Sequence, residues 1–521
     1  MLIGDMLTSN ARRMPHAEAL IFGERRLTWA DLNRRANRIA NALRALGVGS
    51  GDRVAYMLQN SIEQVDLFFA TAKLEAINVR IMPRSVGREI QFILDDVGAK
   101  LMIAAETHAP LISGMDKDVP SLQALIGLGG DHGLAEDYET LLEGASDKEP
   151  DETVAPDSAF GITYTSGTTG FPKGCVRTHR QYLTNVNLYL AQIPHYDWDR
   201  AAVAAPLAAG FALHMLSVHT CRGIPTFLLP KFDVGELMAA IEREKITIAQ
   251  SVSSTFAQFA RHPEIEKFDF SSLRQFYFST LGTGAWDDLQ RLRALPSFNA
   301  KFVKAYGSSE TGGFAAHFHP DEMEMALSDP RYAHRVESVG REAPFTCVQA
   351  VDDDLNPLPD GQVGTMTVRS PSILSGYWNR PGETAEVLRD GMLITGDLME
   401  KDEDGFIYLR GRKRDMIKSG GISVYPAEIE AVLTDLQGVS DCAVFGIPDD
   451  EFGEKLIAYV EPANGAQLNG QAVQEHLRAH LANYKVPRII EFSKNLPRTP
   501  TGKILKRELR DPYWKEAGRS I

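Results

Sequence analysis

The run Thr165-Ser-Gly-Thr-Thr-Gly-Phe-Pro-Lys-Gly174 has the composition of an anion cradle. Glycines and small hydroxyl residues let backbone N–H groups approach phosphate oxygens, and Lys173 adds a positive charge. Phe171 and Pro172 separate Gly170 from the lysine, so this is not the common G-x-x-x-x-G-K-[ST] phosphate loop. A second run, Ala305-Tyr-Gly-Ser-Ser-Glu-Thr311, offers three chemistries within six residues. Its aromatic ring can stack on adenine, its carboxylate can hold Mg2+, and its threonine hydroxyl can donate to a phosphate. Alone, Glu310 would be an ordinary solvated carboxylate. Thr395-Gly-Asp397 and Pro497-Arg-Thr-Pro-Thr-Gly-Lys-Ile504 add a carboxylate and a lysine on tight turns.

These residues need a scaffold, and the first third of the chain reads as alternating helix and strand. Thr28 and Asp31 form a capping box before Leu32, Ala36, Ile39 and Leu43, which repeat at helical spacing. Gly47 is placed to stop that helix. A strand over 53–58 and a helix from Ser61 to Ala70 follow. The phosphate-type run comes after a strand over 159–164 and before a helix capped by Thr178 and Gln181. Such alternation implies an α/β domain with a mostly parallel sheet, continuing to about residue 345. Short β-like segments follow at 364–369 and 405–409. The charged segment Arg410-Gly-Arg-Lys-Arg-Asp415 then marks a boundary. Beyond it, helices near 426–433 and 473–481 and strands near 442–447, 456–460 and 488–492 make a compact α+β unit.

Composition narrows the class. The 521 residues exceed one ordinary core, and 44% hydrophobic with 24% charged residues is globular rather than disordered. A formal net charge of −14 argues against nucleic-acid binding, including by the basic run at 410–414. The four cysteines lie far apart with no C-x-x-C pair, which points to a reducing cytoplasm. The first residues lack the apolar core of a signal peptide. The uncharged stretch between Arg200 and Arg222 is broken by Pro206, Gly210, His214 and His219, so it reads as buried core and no membrane span is expected. His317 and His319 have no Cys, His or carboxylate cluster nearby and read as a surface loop.

Taken together, the motifs resemble those of the adenylate-forming (AMP-binding) enzyme family, in its acyl- and aryl-CoA synthetase branch, over essentially the whole chain. The resemblance implies a large multi-sheet α/β domain (1–411) that holds ATP and the acyl group. A small mobile α+β domain (412–521) is joined to it by a hinge. It implies an acid–thiol ligase that uses ATP to make an acyl-adenylate and pyrophosphate, then passes the acyl group to coenzyme A, releasing AMP. Thr165, Ser166, Gly167, Thr168, Thr169 and Lys173 are then expected at the phosphates, and Tyr306 at the adenine. Glu310 is expected at Mg2+, Thr311 at the α-phosphate, and Asp397 and Arg412 at the ribose. Gly282, Thr283 and Gly284 are expected between adenine and acyl group, and Lys503 is the expected catalytic lysine. Arg414 aligns with the hinge residue, where the family usually carries Asp or Lys.

The segment Ser419-Gly-Gly-Ile-Ser-Val-Tyr-Pro-Ala-Glu-Ile-Glu430 is similar to that of CoA ligases. Gly420 and Gly421 would let a pantetheine arm pass close to backbone. Gly129-Gly-Asp-His132 lacks the serine of a carrier domain, so the acceptor is external: CoA first, a free-standing carrier protein second. A luciferase-like oxygenase and a non-catalytic adenylate-binding protein are the rival readings. Ala208, Ala209, Gly210, Phe211 and Gly312 are the expected acyl-pocket residues. Ala208 and Ala209 stand where many relatives place an aromatic residue and a histidine, which favours a bulky, aromatic or branched acid. His214 is either a substitute for that histidine or packed core. A homodimer is compatible with the sequence.

Overall fold

The computed structural model describes residues 2–165, 172–251, 253–279, 285–419, 422–449, 453–463, 465–499 and 502–516. It shows the two-domain α/β architecture that the sequence implies. Four sheets organise the described residues.

An eight-stranded sheet has at its centre the parallel strands Arg53–Met57, Ile77–Arg80, Leu101–Ala105 and Ala159–Thr165. A nine-stranded sheet carries Ile248–Ser251, Gln275–Ser279 and Lys301–Ser308 side by side in parallel, with Gly313–Phe318 antiparallel beyond them. Between the two sheets lies a core filled by the helices Ile3–Arg13, Ile62–Lys73, His179–Gln192 and Gly210–Arg222. Helix Ile62–Lys73 is buried on every face, as expected of a helix between two sheets. The uncharged stretch forms helix Gly210–Arg222, buried from Ala212 to Thr220.

The local signals act as expected. Thr28 and Asp31 cap helix Trp29–Ala45 reciprocally. Gly47, at φ 84°, closes that helix by donating to the Arg44 carbonyl at 2.9 Å. A smaller, largely antiparallel sheet of Cys347–Val351, Gly364–Arg369, Met392–Lys401 and Ile407–Arg412 follows. The last sheet holds Ile417–Ser419, Ile422–Val424, Val439–Asp449, Gly453–Pro462 and Ile489–Phe492. Helices Pro426–Asp435 and Gly470–His480 pack on it around Val444, Leu456, Val473 and Leu477.

Two sequence expectations change here. The phosphate-type run does not lead directly from a strand into a helix. Strand Ala159–Thr165 pairs antiparallel with Lys173–Thr178, in a register that sets Thr165 opposite Lys173. The capped helix His179–Gln192 begins only after that second strand. The other change is His317, which is not on a surface loop. It sits in strand Gly313–Phe318 with 1% of its surface exposed, because the alternation of that strand turns it toward the core. His319 caps the next helix by accepting from the Asp321 N–H.

Candidate active site

Strand Lys301–Ser308 delivers Tyr306 to the edge of a buried cluster, and the turn after it places Glu310 and Thr311. Tyr306 donates its hydroxyl hydrogen bond to Asp397 Oδ2, from a residue 91 positions away. Asp397 lies on Met392–Lys401, in register with Arg412 on Ile407–Arg412. The Arg412 Nε group stands 2.6 Å from the second Asp397 oxygen. Burial pushes the Asp397 carboxyl up, opposed by Arg412, the Tyr306 hydrogen bond and the field of the Lys503 ammonium. Lys503, on the C-terminal sheet domain, lies near enough for its charge to act on the same carboxylate. Residues from four separated segments converge there.

The Lys503 loop is held by its own backbone. The Thr499 hydroxyl accepts from the Lys503 N–H at 3.1 Å, and the Thr499 N–H donates to the Lys503 carbonyl at 2.7 Å. Arg498 anchors the loop through Asp441 at 2.8 Å and Glu461 at 3.2 Å. The Lys503 side chain itself is exposed.

Around Glu310, the Tyr377 hydroxyl donates to Oε1 at 3.3 Å and the Leu374 N–H donates to the Glu310 carbonyl at 3.0 Å. Strand Gly376–Tyr377 pairs with Cys175 and Val176, which brings Tyr377 beside the phosphate-type hairpin. The Lys173 ammonium lies 5.2 Å from the Tyr377 ring centre and forms an ion pair with Glu383. Thr311 is buried, and its hydroxyl is engaged inside the turn. It accepts from the Ser308 N–H at 2.7 Å and lies 2.6 Å from the Gly313 carbonyl, to which it donates. Arg177 donates to the Gly312 carbonyl and stacks over Tyr182 at 4.8 Å. Burial lowers Arg177 to about 10, so it stays charged at neutral pH.

Four of the residues expected at the acyl pocket lie at the start of helix Gly210–Arg222, while Gly312 lies in the turn after strand Lys301–Ser308. Asn60 holds the preceding segment, donating to the Ala205 carbonyl at 3.0 Å and accepting from the Leu207 N–H at 2.7 Å. Ala208 is buried, whereas Ala209, Gly210 and Phe211 are half-buried. A Cβ on Gly210 would meet nothing within 4 Å. Phe211 stacks on Tyr277 with ring centres 5.2 Å apart, and Phe314 lies edge-on to His214 at 4.9 Å. Asn185 pins Phe314 with two bonds of 3.0 Å, one to its carbonyl and one from its N–H.

Arg414 lies in the short turn Lys413–Asp415, directly after the strand that carries Arg412. Ser166, Gly167, Thr168, Thr169, Gly282, Thr283, Gly284, Gly420 and Gly421 lie outside the described residues. Sequence reasoning missed Arg177, Tyr377, Glu383 and Asn60. Their only signal was polar character, which does not reveal a partner 67 to 210 positions away.

Residues 7–378 match the family model described as AMP-binding enzyme, and 428–503 match the AMP-binding enzyme C-terminal domain. A feruloyl-CoA synthase from Amycolatopsis sp is 36% identical over 513 residues, covering 98% of both chains. A long-chain-fatty-acid–CoA ligase of Mycobacterium tuberculosis is 34% identical over 514 residues, again covering 98% of both. Among solved structures, an anthranilate CoA ligase in complex with anthranoyl-AMP superposes with a TM-score of 0.89. Its identity is 26%, over 99% of this chain and 98% of that one.

Proposed function

The chain belongs to the AMP-binding enzyme family, and from that premise we propose how its own residues divide the work. The enzyme is an AMP-forming ligase that joins a carboxylic acid to CoA through an acyl-adenylate. A carboxylate oxygen attacks the α-phosphorus of ATP and pyrophosphate leaves. The CoA thiolate then attacks the acyl carbon and AMP leaves. The observation that carries the residue roles is the meeting of Tyr306 and Arg412 on the buried carboxylate of Asp397, within the field of Lys503.

Asp397 accepts from the ribose hydroxyls, and Tyr306 flanks the adenine. Lys173 and the run 165–169 hold the outer phosphates. Lys503 neutralises charge that builds up as anion attacks anion. Thr311 fixes the turn that aims Glu310. Mg2+ suits this arrangement: Glu310 is a lone carboxylate, and no cluster of three or more His, Cys, Asp or Glu among the described residues forms a self-sufficient metal site. A cation shared between one carboxylate and substrate phosphates is the usual magnesium pattern, and it would neutralise phosphate charge there. We place the enzyme in the cytoplasm, with its ATP and CoA. No helix of the described residues is long and apolar enough to cross a membrane.

The reading is tested by incubating the enzyme with ATP and a panel of carboxylic acids, with and without CoA. Pyrophosphate release should depend on the acid, and AMP with acyl-CoA should accumulate only when CoA is added. Acid-independent ATP cleavage, or light emission in place of thioester, would refute it.

The acid is bulky, aromatic or branched, because the open space at Gly210 and the ring-lined wall favour width. Ala209→Phe should cut kcat/KM for the best bulky acid by roughly tenfold or more, the effect of overfilling a pocket by a ring. Short straight-chain acids should be spared. The idea fails if acetate or propionate is the best substrate of the unmodified enzyme.

The second half-reaction needs the small domain to turn about residues 412–415. Proline at 414 sets φ near −65°, which suits the present turn and resists leaving it. Arg414→Pro should leave acid-dependent pyrophosphate exchange within about tenfold, the loss reflecting proline's crowding of Lys413. Thioester formation should fall far more, and Arg414→Ala should be mild in both. Normal thioester formation by a folded proline variant would place the pivot elsewhere.

A further inference from the structure

Below the adenine motif, between the nine-stranded sheet and helices His179–Gln192 and Gly210–Arg222, four polar side chains are buried without partners, three on strands and His214 on the second helix. Gln250 is 1% exposed, Tyr277 1%, His214 2% and His317 1%. Both amide atoms of Gln250, the Tyr277 hydroxyl and all four ring nitrogens of the two histidines make no hydrogen bond within the protein. A buried polar atom left unpaired is destabilising, so seven such atoms close together are not ordinary core packing.

Register places them together. Gln250 and Tyr277 are partners across neighbouring parallel strands, and His317 is the partner of Ala305. Partners on adjacent strands share a face. Tyr277, Ala305 and Phe314 belong to the same core as Tyr182 and Tyr189. His317 and His214 stand on either side of Phe314, with ring centres 5.4 Å and 4.9 Å from it. Tyr277 lies opposite Val303, three residues before Tyr306, or about 10 Å deeper along the strand. That depth matches an acid whose ring sits against Phe211 and Phe314 and whose far edge meets the polar atoms.

Resting on the ligase reading above, we propose that Gln250 and Tyr277, with His214 and His317, recognise a neutral hydrogen-bonding substituent, a ring hydroxyl, at the distal end of an aromatic acid. The substituent is neutral because the groups that face it are neutral. Burial lowers His317 to about 3 and His214 well below the usual range, with Arg177 and His317 adding to the shift of His214. Both imidazoles therefore present one donor and one acceptor each. Arg177, whose charge acts on His214, is turned to the Gly312 carbonyl and the Tyr182 ring.

The test compares three phenylpropenoic acids, unsubstituted, para-hydroxylated and para-carboxylated, by kcat/KM for acid-dependent AMP formation in the presence of CoA. The hydroxylated acid should exceed the unsubstituted one by at least about tenfold, the scale of one buried hydrogen bond. Tyr277→Phe removes one oxygen and keeps the ring, and Gln250→Leu keeps the volume. At least one of them should bring that ratio toward one. Equal use of the first two acids, an unchanged ratio in both variants, or preference for the carboxylated acid would overturn the proposal. If none of the three nor any other acid supports CoA-dependent AMP formation, the ligase reading itself fails and this proposal with it. Thermal melting of each variant establishes that the ratio is read from folded protein.

Discussion

Replacing Lys503 by alanine is expected to slow adenylate formation by roughly 10²- to 10³-fold, the usual cost of losing a charge aimed at a developing anion. The loop should survive the change, because its hydrogen bonds run through the Lys503 backbone and Thr499 rather than through the ammonium. The side chain is exposed, so its loss removes little packing. Thioester formation from synthetic acyl-adenylate and CoA should stay within about tenfold of the parent, since the thiolate attacks a neutral acyl carbon in that step rather than a phosphorus ringed by negative oxygens. The contrast between the half-reactions is the measurement. An equal fall in both, in a folded variant, would assign Lys503 a different role, and a Lys503→Arg variant should recover part of the first step alone.

Gly312→Ala should be as damaging by a different route. Gly312 has φ 77°, a conformation that costs an alanine about 1–2 kcal/mol. Its added Cβ would also fall 1.7 Å from the Ser372 carbonyl oxygen, a backbone atom that cannot swing away. The turn must move, and Glu310, Thr311 and the carbonyl that receives Arg177 move with it. A combined strain of about 3 kcal/mol or more corresponds to a loss of about 10²-fold when it falls on site geometry. Acid-dependent pyrophosphate exchange reads that loss, and far-UV circular dichroism reads the fold. Gly87→Ala is the control, because a Cβ there meets nothing within 4 Å. Normal exchange by Gly312→Ala would mean that this turn does not set the site.

What the sequence disclosed followed from local physics. Thr28, Asp31 and Gly47 mark helix ends because capping is decided within four residues, and the bond partners appear where the spacing puts them. The alternation of helix and strand led to the α/β class for the same reason. The strand over 159–164 and the helix cap at Thr178 were both legible, but the strand Lys173–Thr178 between them was not, because the cap follows it directly. His317 was misread because its neighbours His319 and Pro320 look like a loop, whereas the strand ends only at Phe318. Tyr306 and Asp397 were each legible from their motifs, but their hydrogen bond was not, since it depends on how two sheets meet. Gln250 and Tyr277 carried no local signal at all. Only register reveals that they share a face.

The Tyr306–Asp397–Arg412 arrangement bears on how a spent nucleotide leaves. Both Asp397 oxygens are already engaged, one by a phenol and one by a guanidinium. On the role proposed for Asp397, ribose hydroxyls share that carboxylate with the phenol and the guanidinium, since each oxygen can accept more than one hydrogen bond. The protein thus carries a tethered rival for the carboxylate, one whose local concentration is high and cannot be diluted. Where the sugar displaces it, equilibrium affinity falls by the free energy of that displacement. The rival also means that AMP, on departing, does not abandon a bare buried carboxylate, because the phenol closes over it as the sugar lifts away. For a catalyst that must discharge one AMP in every cycle, a moderate grip with ready release serves turnover better than the tightest hold the site could offer.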